Sequence, residues 1–97
     1  MSVYMIIDIS IKDRDVYCQY IEKAQKIIQK YDGKYILRSE NIIALSGSWK
    51  PKRIVIIEFP TIDILRKCFT SEEYKEIAHL RENSTVGKSI IVEVEEG

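Results

Sequence analysis

The sequence predicts one α+β domain in which four strands form an antiparallel sheet and the helices cover one of its faces. Segments with an apolar period of two, typical of strands, alternate with segments of helical period in the order βαββαβ. The chain has 97 residues, enough for one compact core and too few for a separate catalytic domain. We therefore expect a single domain over residues 1–97 with the ferredoxin-like arrangement of these elements.

The first half of the chain divides into a strand, a long helix and a second strand. Apolar side chains occupy every second position of residues 2–11, which predicts strand one. Asp13 is placed to cap a helix in which apolar residues recur at intervals of three and four as far as Tyr31. Gly33 is predicted to end this helix in the left-handed conformation. Strand two follows at residues 34–40 and leads through a bend into an extended arm, Ile42 to Leu45.

The second half supplies the remaining elements of the predicted order. A turn-rich stretch precedes a β-branched run at residues 53–59, which predicts a buried third strand that Pro60 ends. Thr61 and Ser71 are placed to cap two consecutive short helices. The last strand is predicted at residues 88–95.

Composition and charge exclude several classes of function. Hydrophobic residues make up 45% and charged residues 31%, a balance typical of globular rather than disordered proteins. Fifteen basic residues against fifteen acidic ones give zero net charge, so the general attraction to phosphate backbones is missing. No apolar run approaches the roughly 20 residues of a membrane span, and no signal-peptide pattern opens the chain. We expect a cytoplasmic protein that binds neither nucleic acid nor membrane.

One face of the predicted sheet is left without a helical cover, and it is apolar. By strand parity this open face carries Tyr4, Ile6, Ile36, Ile54 and Ile56. Such a surface is larger than a monomer normally exposes to water. We therefore predict a homodimer whose two sheets face each other, with a small-molecule pocket in the space between them.

The same parity places four charged residues on the open face: Asp8, Arg38, Glu58 and Glu93. In one interpretation they line a pocket, where Asp8 or Glu58 acts as a general acid or base and Arg38 orients an anionic or enol-like group. In the other they form a structural network in which Arg38 neutralises the acids between the sheets. The sequence leaves both interpretations open.

Further candidates lie outside this group. Trp49 and Arg53 flank the turn before strand three, where they either wall a ligand or pin the loop through a cation–π contact. Arg81 either reaches a carboxylate of the pocket or favours the end of its helix. Tyr4 shares the open face and is a ligand-binding candidate, whereas His79 lies on a charged segment and is predicted at the surface.

The cysteines and the single histidine offer little for metal or redox chemistry. Cys18 and Cys68 lack CxxC spacing and are predicted to be reduced thiols of the helices. One histidine with scattered acids is a poor ligand set for zinc or haem. We predict no metal and no cofactor.

Several motifs are spread along nearly the whole chain: Tyr17 and Tyr20, Tyr31–Tyr35, Arg38, Leu45–Arg53, Glu58–Pro60, Ser71–Tyr74 and Arg81. Together they resemble the motifs of a bacterial family, domain of unknown function 1330. The resemblance implies a dimeric α/β barrel, in which two copies close their sheets into one barrel. The sequence departs from the family's usual pattern where Arg14 replaces a proline and Asp32 replaces the first of two glycines.

The resemblance brings no activity with it. Barrel relatives include cofactor-free monooxygenases, lactone isomerases, haem enzymes and simple binding modules, so a function taken from the fold alone is an analogy. We predict a homodimer that binds a small anionic or aromatic molecule. The alternative is a cofactor-independent enzyme of the monooxygenase or isomerase type that uses Asp8 or Glu58 as its base.

Overall fold

The computed structural model describes residues 2–95 and contains the predicted elements in the predicted order. They are β1 Val3–Ile11, α1 Arg14–Lys30, β2 Lys34–Ser39, β3 Arg53–Phe59, α2 Ile62–Thr70, α3 Glu72–Ser84 and β4 Thr85–Glu93. The strands form one sheet of order β2-β3-β1-β4, in which every neighbouring pair is antiparallel. The ferredoxin-like prediction is confirmed.

All three helices begin at the residues predicted to cap them. In each case the side-chain oxygen of the cap accepts a hydrogen bond from the backbone N–H three residues ahead, which satisfies one of the donors left unpaired at a helix start. The pairs are Asp13 with Val16 at 3.1 Å, Thr61 with Ile64 at 3.2 Å and Ser71 with Tyr74 at 3.2 Å. The cap chemistry therefore fixes where each helix starts.

The end of α1 differs from the prediction in one residue. Asp32, not Gly33, takes the left-handed conformation, with φ 63°. The N–H of Gly33 donates to the carbonyl of Ile28 at 2.8 Å, and that of Asp32 donates to Gln29 at 3.1 Å, the two bonds of a Schellman motif. Gly33 is needed for space, because a Cβ there would lie 2.5 Å from the Ile28 side chain and 2.8 Å from Phe59.

Strand β2 contains a β-bulge that sequence parity does not reveal. Tyr35 lies opposite Ile57 of β3. Leu37 lies opposite the neighbouring Ile56, which leaves Ile36 as an additional residue in β2. Because successive side chains of a strand point to opposite faces, one extra residue exchanges the two faces for everything that follows it.

Strand β4 begins at Thr85, three residues before the predicted start at position 88. The chain passes from α3 into β4 without a loop, and the Thr85 hydroxyl donates back to the carbonyl of Arg81 at 2.8 Å. The backbone N–H of Lys12 donates to the carbonyl of Ser84 at 2.7 Å, so the strand is held from its first residue. The prediction was wrong here because Gly87 interrupts the apolar alternation.

The core lies between the sheet and the helices. Its buried members come from all elements except β2 and β4: Val3, Ile9, Tyr17, Tyr20, Ala24, Ile28, Val55, Ile57, Phe59, Leu65, Cys68, Tyr74 and Ile77. In the described residues no helix covers the opposite face, as predicted, and side chains such as Leu37, Ile90 and Val92 are exposed there. None of the helices within residues 2–95 is long and apolar enough to cross a membrane.

Candidate functional site

A cavity of about 410 Å³ lies between the sheet and the helices. We predicted a ligand space on the other side of the sheet, between two copies, whereas the protomer itself encloses this space on the helix side. The cause is the composition of β4, whose helix-facing residues Thr85, Gly87 and Ser89 are too small to fill the interior. Gly87 cannot be larger, because a side chain there would collide with the backbone oxygen of Asp8.

Four tyrosines from three different elements line this cavity. Tyr17 and Tyr20 come from α1, Tyr35 from β2 and Tyr74 from α3. The hydroxyls of Tyr20 and Tyr74 lie 2.7 Å apart and share a buried hydrogen bond. A tyrosine at a buried position needs a partner for its hydroxyl, so these residues mark a polar feature as well as part of the core.

Burial makes three of these phenols harder to ionise. Desolvation raises the pKa of Tyr20 and of Tyr74 above the usual value of 10.0, and it does the same for Tyr35. For Tyr20 the neighbouring Tyr74 adds to the effect. At neutral pH the hydroxyls are therefore hydrogen-bonding groups of the cavity and do not act as bases.

The Tyr20–Tyr74 pair leaves one hydroxyl hydrogen unused. Each phenol has one hydrogen to donate, and a single hydrogen bond between the two oxygens uses only one of them. Within residues 2–95 neither hydroxyl has another hydrogen-bond partner. The pair can therefore donate to a ligand, whichever tyrosine donates to the other.

Trp49 and Arg53 lie on opposite sides of the sheet, so the predicted pairing of these two side chains is wrong. Arg53 faces the helices, where its Nε donates to the Tyr17 hydroxyl at 3.3 Å and its Nη1 lies 3.7 Å from Glu40. The guanidinium lies over the Tyr17 ring at 5.5 Å. Trp49 turns to the open face and donates from Nε1 to Asp8 at 2.8 Å. Each of the two residues therefore contacts and stabilises its own side of the sheet.

Arg38 also faces the helices, which corrects its placement beside Asp8 and Glu58. Its guanidinium lies 4.6 Å from the centre of the Tyr35 ring, and its Nη1 donates to Gln25 of α1 at 3.4 Å. The β-bulge is the reason, because it inverts strand parity two residues before Arg38. The predicted group of one arginine among the acids therefore does not form.

The acids themselves are divided between the two faces. Asp8 and Glu58 lie on the open face as predicted, with Lys88 opposite Asp8 across the sheet. Glu58 lies opposite Tyr4, and its carboxylate raises the pKa of that phenol. Glu93 was placed wrongly: it lies opposite a core residue of β1 on the helix side and is exposed. Neither predicted base reaches the cavity.

Arg81 is the predicted site residue that the structure brings to the cavity. It lies in the last turn of α3 and is half-buried, next to Glu82 and Thr85 at the mouth. No carboxylate within residues 2–95 lies at salt-bridge distance from it, so it does not reach the partner we expected. Its positive charge lowers the pKa of Tyr20 and Tyr74, opposing part of the effect of burial.

The thiols and the histidine lie away from this chemistry. Both cysteines are unoxidised, with Cys18 exposed and Cys68 buried. Burial raises the pKa of Cys68 to about 11, which suppresses its thiolate at neutral pH. His79 is exposed on α3, as predicted. In the described part of the chain, no three His, Cys, Asp or Glu side chains converge as metal ligands.

The strand order and the one-sided helices define a small ferredoxin-like α+β protein. A family profile described as Domain of unknown function (DUF1330) matches residues 2–94, and the chain belongs to this family. The resemblance seen in the motifs is thereby confirmed. No curated protein is detectably similar to the chain in sequence.

Solved structures share the fold at low sequence identity. RPA0582 from Rhodopseudomonas palustris, of unknown function, matches with a TM-score of 0.85 and 13% identity over 99% of this chain and 84% of its own. SnoaB from Streptomyces nogalater, a cofactor-independent oxygenase, matches at 0.69 and 9% over 99% and 95%. A dimeric protein of unknown function from Bacteroides fragilis matches at 0.66 and 13% over 96% of each chain. At these identities the likeness shows the fold alone.

Proposed function

We propose that the protein is a homodimer that binds a small, largely apolar molecule in the cavity between the sheet and the helices of each protomer. The observation that carries this proposal is the cavity of about 410 Å³ with its four tyrosines. Its volume lies in the range of roughly 300–1,000 Å³ typical of ligand pockets. Its walls combine aliphatic residues of β1 and β3 with aromatic rings, which suits a flat ring system.

A matched pair of substitutions in β4 tests whether the cavity binds. Ser89→Phe introduces a large side chain at a cavity-lining position, and Glu93→Phe introduces the same side chain on the same side of the strand outside the cavity lining. The probe is 2-naphthol, a neutral fluorescent compound at pH 7. We expect saturable binding to the parent and to Glu93→Phe, and loss in Ser89→Phe. Equal binding by all three proteins would place the probe elsewhere and overturn the proposal.

The open sheet face supports the homodimer. Ile90 is 60% exposed there, and the neighbouring arm between β2 and β3 exposes Ile43 by 89% and Leu45 by 97%. Side chains of this kind gain stability when a second copy covers them. The dimeric relative from Bacteroides fragilis is consistent with such an assembly.

Light scattering at micromolar concentration tests the assembly. We expect twice the chain mass of 11.3 kDa. Ile90→Lys places a charge on the open face and should give the monomer mass, while Gln19→Lys on the exposed surface of α1 should leave the dimer intact. A monomer mass for the parent would show that the open face is not a dimer interface.

A cofactor-independent oxygenase is the second candidate, favoured by the fold shared with SnoaB. Such a reaction requires a base that removes a proton from the substrate. Asp8 and Glu58 lie on the opposite side of the sheet from the cavity. The acid that does line it, Glu82, is exposed at the mouth. Ligand binding therefore explains more features of the site than catalysis does. Oxygen consumption with 2-naphthol as substrate would instead favour the oxygenase.

A further inference from the structure

The cavity contains a cation that lacks a counter-ion. Arg81 is half-buried at its edge, and no acidic side chain in the described residues pairs with it. Arg14, Lys30 and Arg53 each lie within 4.0 Å of a carboxylate, at 2.8, 2.9 and 3.7 Å. A partly desolvated guanidinium is costly when it is unpaired, and an anion placed beside it offsets that cost.

A neutral hydrogen-bond donor occupies the same space. The Tyr20–Tyr74 pair has one hydroxyl hydrogen that no protein group accepts, and both rings line the cavity together with Arg81. A guanidinium and a phenol O–H are both donors, so their common complement is an acceptor oxygen that carries negative charge.

The other charges around the cavity do not cancel this preference. Glu82 and Lys88 also border it, but Lys88 has the strand parity of the open face, opposite Asp8, so Glu82 is the charge to weigh against Arg81. Glu82 and Lys88 are exposed, and water screens them more strongly than it screens the half-buried Arg81. The remaining lining is apolar or aromatic apart from Thr85 and Ser89.

We propose that the ligand is a planar aromatic or enolic acid whose anionic oxygen is bound by Arg81 and by the spare hydroxyl of the Tyr20–Tyr74 pair. This inference rests on the proposed function, because it names the class of ligand for the same cavity. The ring system would lie along the apolar walls, and the acidic oxygen would lie between Arg81 and the Tyr20–Tyr74 hydroxyls.

Two probes of the same shape test the charge. 2-Naphthoate carries a carboxylate at pH 7, and 2-naphthamide is its neutral counterpart. A charge-assisted hydrogen bond is about twice as strong as a neutral one, so we expect the parent to bind the naphthoate about tenfold more tightly or better. Titration calorimetry on the full-length protein measures both affinities, and low salt strengthens the expected preference.

Variants of Arg81 test whether this residue causes the preference for the anionic probe. Arg81→Gln should bring the two probes to within about twofold of each other, and Arg81→Lys should retain part of the preference because it keeps the charge. Arg66→Gln, an exposed arginine of α2, is the matched control and should bind like the parent. If Arg81 only stabilises the end of α3, Arg81→Gln will lower the melting temperature and leave the preference unchanged, which contradicts the proposal.

Variants of the tyrosine pair test whether its spare hydroxyl donates a hydrogen bond to the anion. Tyr20→Phe and Tyr74→Phe each keep one hydroxyl in the cavity, so each single variant should still prefer the naphthoate. The double variant has no hydroxyl at this place and should lose a further several-fold in naphthoate affinity, while its naphthamide affinity changes less.

The outcomes separate this inference from the proposed function. If the parent binds both probes equally and Ser89→Phe abolishes both, the cavity binds ligands but not as anions, and only the further inference fails. If neither these probes nor 2-naphthol shows binding that Ser89→Phe removes, the cavity is not a binding site, and the further inference fails together with the ligand-binding part of the proposed function.

Discussion

The hydrogen bond between Tyr20 and Tyr74 makes a quantitative prediction about stability. The two hydroxyls are 2.7 Å apart, and the residues that carry them are 8% and 4% exposed. Replacing one tyrosine by phenylalanine leaves the other hydroxyl buried without its partner, which costs about 1–3 kcal/mol. Replacing both leaves two apolar rings of the same shape, a change that is close to neutral.

The free energies of unfolding should therefore be strongly non-additive. We expect each single variant to lose about 1–2 kcal/mol and the double variant to lose little, which gives a coupling energy of about 2–4 kcal/mol. Urea unfolding at pH 7 measures these values, at one fixed protein concentration because the proposed dimer would contribute to stability. Additive losses, or single variants as stable as the parent, would mean that water in the cavity satisfies both hydroxyls and would refute the reasoning.

The same pair predicts the sign of the response to alkali. The pKa of Tyr20 and that of Tyr74 are raised in the folded state, so above pH 10 the unfolded chain binds fewer protons than the folded one. The contribution of the two tyrosines to the free energy of unfolding is complete below pH 10. It falls as the pH rises, by about 1.4 kcal/mol per pH unit for each tyrosine. The double phenylalanine variant should lose stability less steeply between pH 10 and 11, and parallel curves for variant and parent would contradict this.

Three further predictions follow from particular side chains. Asp32→Gly should stabilise the protein by about 0.5–1 kcal/mol in urea unfolding, because glycine adopts the left-handed conformation without strain; a loss of stability would contradict the assigned helix end. Arg38→Met should lower the free energy of unfolding by only about 0.5–1 kcal/mol, because it removes a contact with the Tyr35 ring at 4.6 Å and no ion pair. A loss of several kcal/mol would instead support the structural network of Arg38 with the acids. A thiol reagent at pH 8 should titrate Cys18 in the folded protein and Cys68 only after unfolding, so rapid reaction of both would contradict the burial of Cys68.

The order of elements was predictable because it depends on local signals. The caps at Asp13, Thr61 and Ser71 are single residues whose side chains bond to their own helix, so the sequence contains the whole interaction. Apolar periodicity then identified the faces of β1 and β3, whose pairing has no irregularity. The uncovered face of the sheet followed from the same periodicity.

The site was harder to predict because it depends on one extra residue. Ile36 and Leu37 are both apolar, so either could face the helices, and no glycine or proline marks the bulge between them. Arg38 was consequently assigned to the wrong face. A register shift of this kind arises from pairing with a distant strand, which local sequence does not encode.

The cavity was not predicted because small side chains create it, and such side chains carry no chemical signal in the sequence. Thr85, Gly87 and Ser89 contribute mainly by leaving space, and their spacing of two becomes meaningful only when β4 is known to start at Thr85. The tyrosines did offer a signal in the sequence, because a tyrosine at a buried helical position needs a hydrogen-bond partner for its hydroxyl.

Strand β1 separates the cavity from the open face, and its alternating side chains serve both. Ile7 lines the cavity, while Ile6 and Asp8 point the other way from the same backbone. If the protein dimerises through the open face, as proposed, a ligand that shifts this strand and so alters that face changes the dimer dissociation constant, and dimerisation changes the affinity for that ligand by the same factor. Affinities measured at nanomolar and at millimolar protein would then differ for a thermodynamic reason, so binding and self-association have to be titrated together.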